Sequence, residues 1–205
     1  LAPAPATGDP DDALVEWLLD PAYPLALGVL EGVRAAQENR VEAALVARLA
    51  AALRARLHNR ADATYPDTAE GDGAFWREGL FVVSPHHAQI DAIRQALHTR
   101  RTWRAAPFVD TVDKMQGQES QAVIVSYGVS DPETAASEGE FLYSLNRLNV
   151  AVTRARAKCV VFLPRPLLEP SLDVLQNDEA AQGLGFMQAL VEYAQAGGQT
   201  AAFSL

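Results

Sequence analysis

The sequence predicts an α/β fold with a mostly parallel central sheet that is covered by helices on both faces. Short, continuously apolar segments, typical of strands buried on both sides, alternate along the chain with longer amphipathic segments typical of helices. The composition agrees with this fold class, because 205 residues with 49% hydrophobic side chains suffice for one domain with a substantial core.

Residues 1–24 are predicted to form a linker followed by a short helix. Residues 1–8 are rich in proline and alanine, which is typical of a linker. Asp9 then fits an N-cap and Pro10 fits the first helical position. The helix is expected to extend to about Asp20.

Residues 25–164 are predicted to contain the main domain, and residues 165–205 a C-terminal extension. The first strand candidate is followed by Asn39-x-x-Glu42, a capping-box pattern that predicts the start of a long helix. A loop is expected at residues 58–73. The strand candidates are residues 25–30, 80–84, 108–112, 122–128 and 159–164, and the later helix candidates are residues 86–97, 145–156 and 185–196.

Composition and charge limit the cellular locations and partners expected for the protein. No apolar run reaches the roughly 18 residues of a membrane span, so no membrane partner is expected. The single cysteine, Cys159, and the lack of a basic, then apolar leader at Leu1 predict a soluble, cytoplasmic protein. Because Leu1 is not a methionine, we expect a piece of a longer protein. The net charge of −9 disfavours a simple basic nucleic-acid binder, although one local face can differ.

Polar residues that follow the predicted strands are the first candidates for a binding site. In parallel sheets ligands bind outside the carboxyl ends of the strands, which directs attention to residues 84–89 and 110–119. On the helix predicted at residues 145–156, Arg147 and Arg154 are seven positions apart and differ by only about 20° around the axis. Both could pair with surface carboxylates, at about 0–1 kcal/mol each. Alternatively, both could meet phosphate groups.

Two long segments carry a resemblance to a known family. VDTVDKMQGQESQAVIVSY, residues 109–127, and NRLNVAVTRARAKCVVF, residues 146–162, resemble motifs V and VI of superfamily I helicases. The resemblance is closest to the branch that contains the nonsense-mediated-decay helicase and related DNA-processing enzymes. SPHHAQ, residues 84–89, resembles motif IV, with a histidine in place of the family's aromatic residue.

The resemblance covers roughly residues 25–163 and implies the second of two RecA-like motor domains. Such a domain is a three-layer sandwich of the P-loop NTPase type with a mostly parallel sheet. No GxxxxGK[ST] segment occurs among the 205 residues, so we expect this domain to lack a P-loop of its own.

The resemblance also implies roles at the nucleotide. Arg154 would be the arginine finger and the catalytic residue. Glu119 would accept hydrogen bonds from the ribose hydroxyls, and Gln116 and Gly117 would form a tight turn beside the nucleotide. Arg147 would organise the cleft by pairing with an acidic residue, and it is included among the ATP-binding residues.

Motif IV and the start of motif V add further expectations. His86 would stack on adenine, and Gln89 would complete the ATP site. Thr111, Ser84 and Lys114 would contact the nucleic acid, Thr111 and Lys114 at its phosphates. No metal ligands are predicted, because no cluster of Cys, Asp or Glu completes a four-ligand set with the adjacent histidines His86 and His87.

The expected cofactors are ATP and Mg²⁺, both held mainly by a first motor domain that is absent from these residues. The chain alone is therefore expected to be inactive. The expected partners are single-stranded nucleic acid, DNA rather than RNA, and the N-terminal RecA-like domain of the same polypeptide, with DNA repair as the setting. Two alternatives stay open: an inactive RecA-like regulatory or protein-interaction domain, and an NAD-binding or phosphotransfer domain, although no GxGxxG follows the first strand.

Overall fold

A computed structural model of the chain describes residues 10–32, 34–59, 61–170, 172–197 and 199–204. The predicted linker at residues 1–8 and the predicted N-cap Asp9 lie outside these residues. Within the described residues, no helix combines the length and the apolar character needed to cross a membrane.

An all-parallel sheet forms the centre of the domain, and it has six strands within the described residues, in the order β3-β2-β4-β5-β1-β6. The strands are β1 (Leu25–Glu31), β2 (Leu80–Val83), β3 (Val109–Asp110), β4 (Ser120–Ser126), β5 (Ala155–Pro164) and β6 (Thr200–Ser204). Nearly every residue of β2, β4 and the second half of β5 is buried, as expected for strands covered on both faces. The predicted α/β class is confirmed.

Helices cover both faces of the sheet and form two separate hydrophobic clusters. The longer helices are α1 (Pro10–Leu18), α2 (Arg40–Arg56), α4 (His87–Arg100), α7 (Leu145–Thr153) and α10 (Asp178–Ala196). The shorter ones are α3 (Ala69–Ala74), α5 (Pro132–Ser137), α6 (Gly139–Leu142), α8 (Arg165–Leu168) and α9 (Leu172–Leu175), with a π turn at Phe75–Gly79 and a 3-10 helix at Val112–Met115. Residues of α1, α2 and α4 pack in the first cluster, and residues of α7 and α10 pack in the second.

The helix beginning at Arg40 differs from the predicted capping box in one respect. Asn39 is the N-cap, and its side chain accepts hydrogen bonds from the backbone N–H groups of Val41 and Glu42, as predicted. The Glu42 carboxylate, however, turns away from the cap and bonds to the end of β4. The Asn39 N–H group donates instead to Gln89 Oε1 at 2.7 Å. Hydrogen bonds to the end of β4 and to Gln89 therefore replace the bond between Glu42 and the Asn39 N–H group that a capping box would contain.

Several element boundaries differ from the predictions. The helix predicted at residues 145–156 ends at Thr153, because Ala155 already pairs with Ser120 as the first residue of β5. The loop predicted at residues 58–73 includes the start of α3, which Thr68 caps. The closing helix predicted at residues 185–196 begins earlier, at Asp178.

The last strand, β6, was not predicted. It pairs in parallel with β1 at the edge of the sheet, with Leu27 opposite Thr200. Helix α10 contributes Met187 and Leu184 to the second hydrophobic cluster. Part of the segment assigned to a C-terminal extension is thus packed into the same sheet and core as residues 25–164.

Candidate functional site

The QGQE bend of motif V and Arg154 of motif VI come together at the amino ends of β4 and β5. The Ser120 N–H group donates to the Arg154 carbonyl at 3.1 Å, which joins the residue after the bend to Arg154. Gln116, Gly117 and Glu119 are exposed. Gly117 has a φ of +77°, and a Cβ atom built there would meet nothing within 4 Å, so the backbone of the bend is open to a ligand.

This edge is opposite to the one that the sequence predicted for residues 116–119. The strand before them, β3, ends at Asp110 at the carboxyl edge of the sheet. The 3-10 helix Val112–Met115 then leads the chain back across the sheet face, with Met115 fully buried in the second cluster. The bend consequently precedes β4 instead of following a strand.

The two arginines of motif VI have different environments, one at each end of α7. Arg147 Nε lies 3.8 Å from Asp113 Oδ2, and the guanidinium carbon lies 4.5 Å from the centroid of the Phe141 ring. This agrees with the expectation that Arg147 pairs with an acidic residue. Arg154 is the C-cap of the helix and is partly buried. Among the described residues it has no ion-pair partner, and its Nε is buried without a hydrogen bond.

The predicted nucleic-acid residues lie at the carboxyl edge of the sheet. Ser84 directly follows β2 and is buried, with an Oγ atom that makes no hydrogen bond. Thr111 follows β3 and is partly buried, and Lys114 is exposed on the 3-10 helix. Ser84 and Thr111 line the same cavity, whereas Lys114 stands outside it.

His86 and Gln89, which were predicted to contact ATP, lie near this carboxyl edge and apart from the QGQE bend. His86 is only 8% exposed, and its ring packs against Phe141 with the centroids 5.7 Å apart. Its Nε2 lies 3.2 Å from Glu138 Oε2 without hydrogen-bond geometry. Burial lowers the pKa of His86, and the charge of Glu138 opposes this in part. The imidazole is therefore enclosed by protein groups and does not present a free face to a base.

Gln89 is fully buried and belongs to a polar network inside the domain. Its Nε2 donates to Ser126 Oγ at 2.9 Å, and its Oε1 accepts from the Asn39 N–H group. Ser126 Oγ in turn donates to Glu42 Oε1 at 2.6 Å. The structure thus places Gln89 in the interior, where it connects α4 to α2 and to the end of β4.

Glu42 is the titratable centre of this network, although its sequence context marks it only as a capping residue. The Glu42 side chain is fully buried, and its Oε1 also accepts from the Gly128 N–H group at 3.3 Å. Its Oε2 has no hydrogen-bond partner. Burial raises the pKa of Glu42 to about 7, against the lowering effect of Ser126 and Gly128. Gly128 has a φ of +70° and packs against Gln89, so a side chain there would break the network.

Two aromatic residues at the carboxyl edge were also missed as site residues. Tyr127 directly follows β4, and Phe141 lies on the short helix α6. Both line the cavity that holds Ser84 and Thr111. A search for aromatic residues just after strands would have found Tyr127, whereas Phe141 is brought to this edge only by the packing of α6.

A parallel sheet with a QGQE bend and a TRA arginine at one edge, and a polar and aromatic cleft at the other, defines a RecA-like motor domain. The comparisons with known proteins agree. Residues 30–163, well over half of the chain, match a family model described as an AAA domain. The chain belongs to this family, and it is of the C-terminal motor type of superfamily I helicases.

Individual relatives match shorter stretches. The chain is 35% identical over 82 residues to "DNA-binding protein SMUBP-2" of Rattus norvegicus, covering 40% of this chain and 8% of the relative. It is 32% identical over 107 residues to "Putative helicase mov-10-B.1" of Danio rerio, covering 48% and 10%. It is 35% identical over 98 residues to "DNA replication ATP-dependent helicase/nuclease DNA2" of Homo sapiens, covering 47% and 9%. The chain thus spans a tenth or less of the length of these relatives.

Proposed function

We propose that this chain is the C-terminal motor domain of an ATP-dependent helicase or translocase, with Arg154 as its arginine finger. The single observation that carries the proposal is the state of Arg154: its Nε is buried without a partner, beside an exposed QGQE bend. A permanent cation with no carboxylate among the described residues fits an anion that arrives from outside the chain. Arg147, paired with Asp113, does not meet this condition.

The groups around the bend fit a nucleoside triphosphate. Glu119 is an exposed carboxylate, which accepts hydrogen bonds from ribose hydroxyls and repels phosphate. The open backbone at Gly117 allows a close approach, and Gln116 lies beside it. When bound, ATP would supply the γ-phosphoryl group that is transferred to water, and Mg²⁺ would neutralise part of the phosphate charge. We propose that a first RecA-like domain of the same polypeptide holds most of both.

Arg154 contributes a positive charge that is partly shielded from water. Its planar guanidinium matches the geometry of phosphate oxygens. Because its Nε is shielded from solvent, its interaction with an approaching phosphate is stronger than it would be at an exposed position. The hydrogen bond from the Ser120 N–H group to the Arg154 carbonyl holds the backbone of Arg154 next to the end of the bend that carries Glu119.

The carboxyl edge is proposed to hold single-stranded nucleic acid, DNA in preference to RNA. Thr111 can donate a hydroxyl to a phosphate, and Lys114 extends a charged amine into solvent. The choice of DNA is supported by the names of two relatives, a DNA-binding protein and a DNA replication helicase/nuclease. The nucleotide and the nucleic acid would then bind at opposite edges of the sheet. A conformational change at the nucleotide edge must therefore be transmitted through the sheet and α7 to reach the nucleic acid.

Replacement of Arg154 by alanine in the full-length protein tests this proposal. We expect nucleic-acid-stimulated ATP hydrolysis to fall by about 10³-fold or more, the range of known arginine fingers. Arg156→Ala is the matched control, because Arg156 is exposed only two residues further along the chain. That variant should hydrolyse ATP at close to the parent rate.

Two results would contradict the proposed function. An unchanged rate in Arg154→Ala would refute the finger and favour the inactive regulatory domain. Substantial hydrolysis of ATP by the 205-residue chain alone would refute the shared nucleotide site, because we expect negligible turnover without the first motor domain.

A further inference from the structure

A small cavity lies at the carboxyl ends of β2 and β3, on the face covered by α7. Its volume of about 50 Å³ is space for roughly three or four water molecules. Its walls are mostly carbon, and Pro85, Tyr127, Phe141 and Leu148 supply much of them. A site of this size accepts a flat ring or part of one.

One residue that lines the cavity carries a buried hydroxyl group with no hydrogen-bond partner among the described residues. Ser84 lines the cavity and is 1% exposed, and its Oγ makes no hydrogen bond. A buried polar group without a partner is rare in folded proteins, and a ligand with a polar edge would supply the missing bond. The residue itself is fixed, because the Ser84 N–H group donates to the Asp110 carbonyl at 3.1 Å.

The charges at the rim argue against a phosphate in this cavity. Asp113 lines it, and its carboxylate is 67% exposed. The one cation in the lining, Arg147, is held between this carboxylate and the ring of Phe141. The cavity therefore favours a neutral, planar occupant with a polar edge. Thr111 at the rim and Lys114 beyond it are placed to hold the phosphates that such an occupant would carry.

We propose that this cavity is a pocket for one nucleobase of the bound strand, with Ser84 Oγ as hydrogen-bond partner of the inserted base. The inference rests on the proposed nucleic-acid function of the carboxyl edge and makes it more specific. The grip of this domain on the strand depends on a base as well as on phosphates. It tolerates different sequences, because every base has a flat face and a polar edge.

Fluorescence anisotropy with the 205-residue chain tests the pocket. The probes are a labelled dT12 oligonucleotide and an oligonucleotide of the same length in which every nucleotide is abasic. We expect the abasic probe to bind about tenfold more weakly, the range found for loss of base contacts. Ser84→Ala, which removes only the hydroxyl, should weaken binding of dT12 at least threefold and leave binding of the abasic probe unchanged.

Lys114→Ala is the matched comparison, because an amine on phosphates should affect both probes equally. Thermal unfolding of each variant confirms that folding is retained, and removal of the unpaired Ser84 hydroxyl should not lower the midpoint. Equal, salt-dependent binding of both probes by the parent chain would overturn the base pocket and leave the proposed function intact. Failure of the parent chain to bind either probe would overturn the pocket and the proposed nucleic-acid edge together.

Discussion

Replacement of Glu42 by glutamine should stabilise the domain at pH 8. The parent carboxyl group is fully buried, and Oε1 accepts from Ser126 Oγ at 2.6 Å and from the Gly128 N–H group at 3.3 Å. Oε2 has no hydrogen-bond partner among the described residues, so the charge of an ionised Glu42 would be only partly compensated in the core. Glutamine keeps the shape and the accepting oxygen but never ionises.

The size of the effect follows from the pKa of Glu42, which burial raises from 4.5 to about 7. Each pKa unit corresponds to about 1.36 kcal/mol, so the ionised parent loses about 3 kcal/mol of folding free energy. The pKa of Glu42 is higher in the folded state than in the unfolded state, so protonated Glu42 contributes its full stability below pH 4.5. This contribution is lost as the pH rises through 7. The Glu42→Gln variant should show no such loss.

Urea denaturation of both chains between pH 5.5 and pH 8 measures the difference. The gap between the variant and the parent in free energy of unfolding should grow with pH and level off above pH 7. Glu192→Gln is the matched control, because Glu192 is exposed on α10, and its gap should stay near zero. A gap that is the same at both ends of the pH range, or a variant less stable than the parent at pH 8, would refute the buried charge.

Two further predictions concern packing and polar satisfaction. Gly183→Ala should destabilise the domain by about 1–3 kcal/mol, because the new Cβ atom would clash with the Tyr143 carbonyl oxygen. Gly185→Ala is the control, because a Cβ atom there meets nothing within 4 Å, and it should be neutral or slightly stabilising. The thermal unfolding midpoints of the two variants test this difference. Gln89→Ala should lower the free energy of unfolding by about 1–3 kcal/mol for each buried group that it leaves unpaired. Urea denaturation measures this loss, with Gln95→Ala as the control because Gln95 is exposed. Equal denaturation midpoints for the two variants would contradict the network.

Most elements of the fold were predictable because their signals are local. The apolar runs of β1, β2, β4 and β5 and the N-cap at Asn39 depend on residues within a few positions of each other. The failures occur where distant segments compete. Strand β5 takes Ala155 from the predicted helix by pairing with Ser120, and β6 depends on the exposed edge of β1.

The candidate site shows the same division. The motifs identified Gln116–Glu119 and Arg154, and the structure brings them to one edge. Their location at the amino edge depends on the path of the 3-10 helix across the sheet, which no short motif encodes. Phe141 joins the other edge only through the packing of α6.

By itself, the sequence determined the α/β class, the motifs and the family resemblance, because these reside in periodicity and short spacings. The tertiary structure alone decided that Asp113 is the acidic partner of Arg147. It also decided that Gln89 is interior and that Ser84, whose Oγ has no hydrogen-bond partner among the described residues, lines a cavity. The physical reason is that burial and hydrogen-bond satisfaction are properties of groups that meet only after folding, often from opposite ends of the chain.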